Sequence, residues 1–138
     1  MALTVAELIG RQQAAVDETG QLDWSLVRPD FEIHDRELLD SSVHRGREGW
    51  KRWGADWRQA FGDYSLERCG ELEVDDSRVL TLHRLRARGR ASGVELERTD
   101  AQLWTFSEGL LARMDYYPDY RADERSWLRP DGSRARIS

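Results

Sequence analysis

From Val79 to Tyr117 the chain alternates polar and apolar residues in runs of about a dozen, broken at Ala91-Ser92-Gly93 and Glu108-Gly109. Strands of that length exceed the common one. Long antiparallel strands twist and coil, so a sheet built from them bends around something. The stretch from Gly46 to about Phe61 supplies that something. Trp50, Trp53, Trp57, Ala60 and Phe61 fall on one helical stripe, while Arg47, Glu48, Arg52 and Arg58 point elsewhere. So wide an apolar stripe faces a sheet, although three indoles on one face also make a stacking platform for a ligand. A helix laid into a curved sheet leaves a hollow, and the polar lining of that hollow decides function.

Local signals place the other elements. Thr4-Val5-Ala6-Glu7 is a capping box, and Val5, Leu8, Ile9 and Val16 follow at helical spacing until Gly20 stops the helix. A short second helix is expected over Leu22 to Val27, ending ahead of Pro29. Phe31 to Asp35 reads as a strand and Arg36 to Arg45 as irregular. Strand patterning resumes at Tyr64, with a turn at Asp75-Asp76-Ser77. A last helix is expected from Asp119 as N-cap, burying Tyr120, Trp127 and Leu128 and stopping before Pro130. The order of helices, a strand, a helix and a four-strand meander is α+β. One domain is expected over 1–130, with a mobile tail over 131–138.

Composition narrows the function classes. A chain of 138 residues is long enough for one domain with one core. Net charge is −5, which speaks against nucleic acid as a partner. No apolar run approaches the roughly 20 residues a membrane span needs, and no basic-then-apolar leader opens the chain. Cys69 is the only cysteine, which excludes an internal disulfide and fits a reducing cytoplasm. His34, His44 and His83 lack tight metal spacing, so no metal site is expected. No G-x-G-x-x-G, P-loop or G-x-S-x-G motif is present, and no cofactor is expected.

The hairpin around Ala91-Ser92 carries the chemistry. With a two-residue loop, residues whose numbers sum to 183 face each other. Arg88 then meets Glu95 and Arg86 meets Glu97 on one face, favourable pairs across the ladder. On the other face Leu85 meets Arg98, His83 meets Asp100, Thr81 meets Gln102 and Val79 meets Trp104. Polar groups thus sit in an otherwise apolar surface, where a charge needs a partner. A carboxylate that orients an imidazole is also the usual arrangement for a general base. A satisfied structural pair is the other reading of His83 and Asp100. A bulge at Gly93 would instead pair residues summing to 184 and turn the two to opposite faces.

Several stretches, in this order and spacing, resemble the SnoaL-like branch of the nuclear-transport-factor-2-like superfamily. They are Pro29-Asp30-Phe31-Glu32-Ile33-His34-Asp35, His44-Arg45-Gly46-Arg47-Glu48-Gly49, Gly89-Arg90-Ala91-Ser92-Gly93, and Trp104-Thr105-Phe106-Ser107-Glu108-Gly109 running on to Tyr117. The resemblance implies a cone: a curved antiparallel or mixed sheet wrapped around a long helix, commonly a homodimer through the outer sheet face. It also implies a divided range of functions, from ketosteroid isomerases and polyketide cyclases to epoxide hydrolases, dehydratases and members that only bind. Asp35 falls where the isomerases carry their base, with Arg36 in place of the usual proline. Gln102 stands where the isomerases hold an acid and the cyclases a catalytic Asp. No tyrosine precedes Tyr64, so the isomerases' first-helix tyrosine has no counterpart. The Arg-x-Asp of the epoxide hydrolases is also missing before the Gly93 turn.

Residues and resemblance together lead us to expect a pocket for a small apolar or polycyclic ligand, worked by acid–base chemistry without a cofactor. Asp35, His83 and Asp100 are the candidate proton-moving groups. Gln102 would hold a polar oxygen, with His34, Trp53, Arg98, Trp104, Met114 and Tyr116 shaping the cavity. A non-catalytic binding or dimeric interaction domain is the alternative.

Overall fold

The computed structural model describes residues 3–36 and 43–120, and the backbone of 127–128 and 134–135. The capping box forms as expected: Thr4 Oγ1 accepts from the Glu7 amide, and Glu7 reaches back to the Thr4 amide. It opens helix α1 (Val5–Thr19), which ends where Gly20 adopts a left-handed φ of 74° and donates to Val16 O. The second helix shrinks to one 3-10 turn, Trp24–Leu26. Strand β1 (Val27–Asp35) starts directly after it, earlier than the sequence suggested. Pro29 lies inside β1, where the ladder with its neighbour slips between Val27 and Glu32. A residue without an N–H is tolerated at such a break.

The stretch read as irregular contains a short edge strand, β2 (Val43–Arg45), antiparallel to β1; residues 37–42 lie outside the described residues. Helix α2 (Gly46–Ala60) buries Trp53 and Trp57 and is succeeded without a loop by β3 (Phe61–Glu73). Its close start is possible because residue 49 has no side chain: a Cβ on Gly49 would lie 2.6 Å from the His44 carbonyl carbon. Its abrupt end has a distant cause. Arg90 donates its amide to Ala60 O at 3.1 Å and its guanidinium to Arg58 O at 2.8 and 3.1 Å. Those carbonyls are among the last of the helix, which as a rule have no partner within it.

Strands β4 (Arg78–Gly89), β5 (Glu95–Ser107) and β6 (Leu110–Tyr117) complete an open six-stranded mixed sheet in the order β2-β1-β6-β5-β4-β3. Only β1 and β6 run parallel. The β4–β5 register is the one that sums to 183, with His83 opposite Asp100. The loop, however, runs over residues 90–94, with Gly93 N–H donating to Gly89 O.

Both helices lie on one face of the sheet. There Leu8, Ile9, Trp53 and Trp57 pack on Phe31, Ile33, Val79, Leu85, Trp104, Leu111, Met114 and Tyr116. A second cluster on the other face holds Leu80, Leu82, Ala101, Leu103 and Tyr120. Those residues are buried within a single chain, on the face where the resemblance put a dimer contact. The helix expected from Asp119 does not extend through Trp127 and Leu128. They form β7 (Trp127–Leu128), paired with β8 (Arg134–Ala135). The rest of that expected helix and of the tail lies outside the described residues.

Candidate functional site

Between α1, α2 and the inner face of the sheet lies a cavity of about 390 Å³. Its walls are aromatic: Trp50, Trp53, Trp57, Tyr64, Trp104 and Tyr116. Trp53 and Trp57 meet Tyr116 edge-on, with ring centroids 5.5 and 5.2 Å apart. The indole stripe thus does both things the sequence allowed: it packs against the sheet and walls a hollow. A volume of this size lies at the small end of the range for ligand sites.

The polar floor is built by β4 and β5. Trp104 Nε1–H donates to Thr81 Oγ1 at 3.0 Å, and Thr81 Oγ1 lies 2.8 Å from His83 Nε2. Thr81 is fully buried. Among the described residues its hydroxyl hydrogen has only His83 to receive it, and leaving it unbonded would cost about 1–3 kcal/mol. His83 Nε2 is therefore the acceptor, and Nδ1 carries the ring proton. Burial, with a smaller push from the Arg68 guanidinium and an opposing pull from Asp17, lowers the His83 pKa to about 4. The ring is neutral at pH 7. Gln102, next to it on β5, is buried yet forms no side-chain hydrogen bond among the described residues, so its amide is open to the cavity.

Asp100 does not orient His83. Although opposite in register, the two side chains turn apart. Asp100 is fully buried and accepts from Tyr116 OH, from Arg98 Nε at 2.8 Å and from the Asp119 amide at 2.9 Å. A carboxylate so engaged holds β5, β6 and the start of the C-terminal segment together, and has no lone pair directed at a substrate. Tyr116 stands between it and the cavity. Arg98 serves Asp100 and is not a cavity wall.

Asp35 has a comparable position. Its Oδ2 accepts from Trp53 Nε1–H at 2.7 Å, a buried bond that fixes one indole wall. Through Trp53 it braces the cavity wall without lining the cavity itself. His34 points to the opposite face, where Nε2 lies 3.1 Å from Glu32 Oε1. Met114 is fully buried in the core behind the lining. Of the expected residues, the structure gathers Trp53, His83, Gln102, Trp104 and Tyr116 at one cavity. It leaves His34, Asp35, Arg98, Asp100 and Met114 outside it.

Sequence reasoning missed the mouth. Gln13, Asp17, Lys51, Arg58 and Arg68 frame it. Arg68 grips Asp17 through two bonds, at 2.7 and 3.1 Å. The pair joins β3 to α1 across 51 positions, so no local pattern signals it. Among the described residues no three of His, Cys, Asp and Glu are grouped to hold a metal. None of the helices described is long and apolar enough to cross a membrane.

This α+β cone with a cavity under a tryptophan helix has the fold of the SnoaL-like and nuclear-transport-factor-2-like structures. TerC, solved with polyporic acid, superposes at a TM-score of 0.68 with 21% identity, over 83% of this chain and 90% of that one. A putative SnoaL-like polyketide cyclase from Jannaschia sp. CCS1 gives 0.65 with 18% identity, over 80% and 84%. A ketosteroid-isomerase-like protein from Catenulispora acidiphila, in complex with trimethylamine, gives 0.63 with 14% identity, over 80% and 84%. At such identities the likeness is one of fold. No family model matches the sequence, and no curated protein matches it.

Proposed function

We propose that this protein binds a small, largely apolar ring compound that carries an oxygen function. The observation that carries the proposal is the pairing of aromatic walls with two polar groups left open to the cavity, His83 and Gln102. The walls supply the affinity by removing apolar surface from water. The polar pair supplies orientation: His83 Nδ1–H and the Gln102 amide both donate, and a ligand carbonyl accepts.

Matched probes test this. Binding of 2-acetylnaphthalene and 2-ethylnaphthalene is read from quenching of the wall indoles. The ketone should bind about fivefold tighter, the worth of one net hydrogen bond, and Gln102→Leu should reduce the difference. If neither compound quenches the indoles, the cavity is not a ligand site.

A second reading adds turnover, and His83 is the observation in its favour. With Asp35 and Asp100 both committed to structure, it is the titratable group left on the polar floor of the cavity. A neutral imidazole donor polarises a carbonyl and stabilises the enolate formed when a neighbouring C–H gives its proton to water, and return of a proton from water at another carbon completes an isomerisation. Such a reaction requires no cofactor. Its rate should hold steady from pH 8 to pH 5 as far as His83 is concerned, and change as the pH falls through about 4. A rate that instead tracks a group of pKa near 6.5 would exclude His83.

A further inference from the structure

The mouth of the cavity has a charge opposite to that of the chain. The protein as a whole carries −5. The cavity lining holds three cations, Lys51, Arg58 and Arg68, against a single carboxylate, Asp17. Arg68 is spent on Asp17. Lys51 and Arg58 form no ion pair among the described residues. They lie seven residues apart on α2, and so on one face of it. Gly54 sits between them, and a Cβ there would come 3.3 Å from Arg58 Nη1. The guanidinium therefore folds back over the bare backbone of Gly54, towards Lys51. Glycine at this point of the helix opens the space that lets the two cations approach the same opening.

Hydrogen-bond accounting agrees. Three acceptors at the lining are already occupied: the Asp17 carboxylate by Arg68, Gln21 Oε1 by the Trp24 indole, and Gly20 O by the Trp50 indole. One donor is left over. Gln13 Nε2 is buried at the lining with no partner among the described residues, and such a group costs free energy until something accepts from it. A cavity with surplus positive charge and an unpartnered donor fits a ligand that brings negative charge and an acceptor.

We infer that the ligand is an organic anion: an aromatic carboxylate or an acidic enol whose rings lie between the indoles and whose negative group faces Lys51 and Arg58 at the mouth. This inference rests on the cavity being a ligand site. The chemistry needed is a delocalised or carboxylate charge next to an apolar ring system. The guanidinium of Arg58 suits a planar oxyanion, which it can meet with two parallel N–H groups.

The test compares 2-naphthoate with 2-acetylnaphthalene, compounds of nearly the same size that differ in charge. Both are titrated into the full chain at low salt with indole quenching as the readout. Naphthoate should bind about tenfold tighter, the combined worth of two solvent-facing charge contacts. The ratio should shrink as sodium chloride is raised. The double variant Lys51→Gln/Arg58→Gln should bring it close to one while circular dichroism is unchanged. Equal affinities in the wild type, or a double variant that keeps the preference, would overturn the inference and leave the cavity's role as a ligand site standing. Quenching by neither compound would overturn both.

Discussion

The two ends of the β4–β5 hairpin share one register and one backbone geometry, yet hold together by different means. At the tip, Arg88 meets Glu95 at 2.7 Å, and Arg84 and Arg86 both lie 3.8 Å from Glu97. All of these groups stand in water. At the base, Thr81, His83, Asp100 and Gln102 are buried, and the first three are bonded to partners from the same or neighbouring strands. The tip gains little from its charges because solvent screens them. The base depends on its polar contacts because nothing else solvates those groups. Two stretches of one ladder thus teach that a cross-strand charge pair and a buried polar network are different objects, even where the sequence writes both in alternating letters.

Substitutions can break this comparison, and the largest effect belongs to the base. Asp100→Ala removes the acceptor shared by Arg98, Tyr116 and the Asp119 amide. Chemical denaturation should show a loss of about 3–5 kcal/mol, the cost of breaking a buried charged network. Asp100→Asn, which keeps the shape but not the charge, should recover part of it.

Acid comes next. His83 has a pKa of about 4 in the folded protein and an ordinary value near 6.5 when unfolded. The unfolded state therefore takes up the proton first as pH falls. Stability from this group is complete above pH 6.5, falls between 6.5 and 4, and is constant below that. The loss amounts to about 3 kcal/mol. His83→Gln should remove that part of the pH dependence, seen by comparing denaturation midpoints of the two proteins at pH 7 and pH 4.5. Equal slopes would mean that the imidazole is more hydrated than its burial implies.

Two smaller effects sharpen the contrast. Arg90→Ala, at the tip, should cost about 1–2 kcal/mol, because its charged bonds satisfy the α2 carbonyls. It is the one tip residue here that acts on the core. Trp104→Phe should cost about 1 kcal/mol through the lost bond to Thr81, and should free the hydroxyl to turn. The smallest change is expected for Arg88→Ala, below about 0.5 kcal/mol in a thermal or denaturant scan despite the short distance to Glu95.

Much of the fold was legible because it is periodic. The capping box, the α2 stripe and the strand alternation each depend on neighbours within a few residues. The pairing of His83 with Asp100 followed from the turn and the charge complementarity of Arg88 and Glu95. The candidate site was legible only in part. His83, Gln102, Trp53, Trp104 and Tyr116 reach one cavity because alternation put their side chains on the inner face. His34 failed by being one residue out of phase with Ile33 and Asp35 on β1. Asp35 and Asp100 failed for another reason: each found a donor, Trp53 or Tyr116, from an element whose position the sequence does not state.

The amino-acid order alone determined that this chain would curve a long-stranded sheet over a tryptophan helix, since apolar faces at periods of two and 3.6 must be buried together. Tertiary structure decided what each buried polar group bonds, which residue closes α2 and where the cations of the mouth converge. Hydrogen bonds and charges act over a few ångströms between atoms brought together from distant parts of the chain. Only the assembled fold sets those distances.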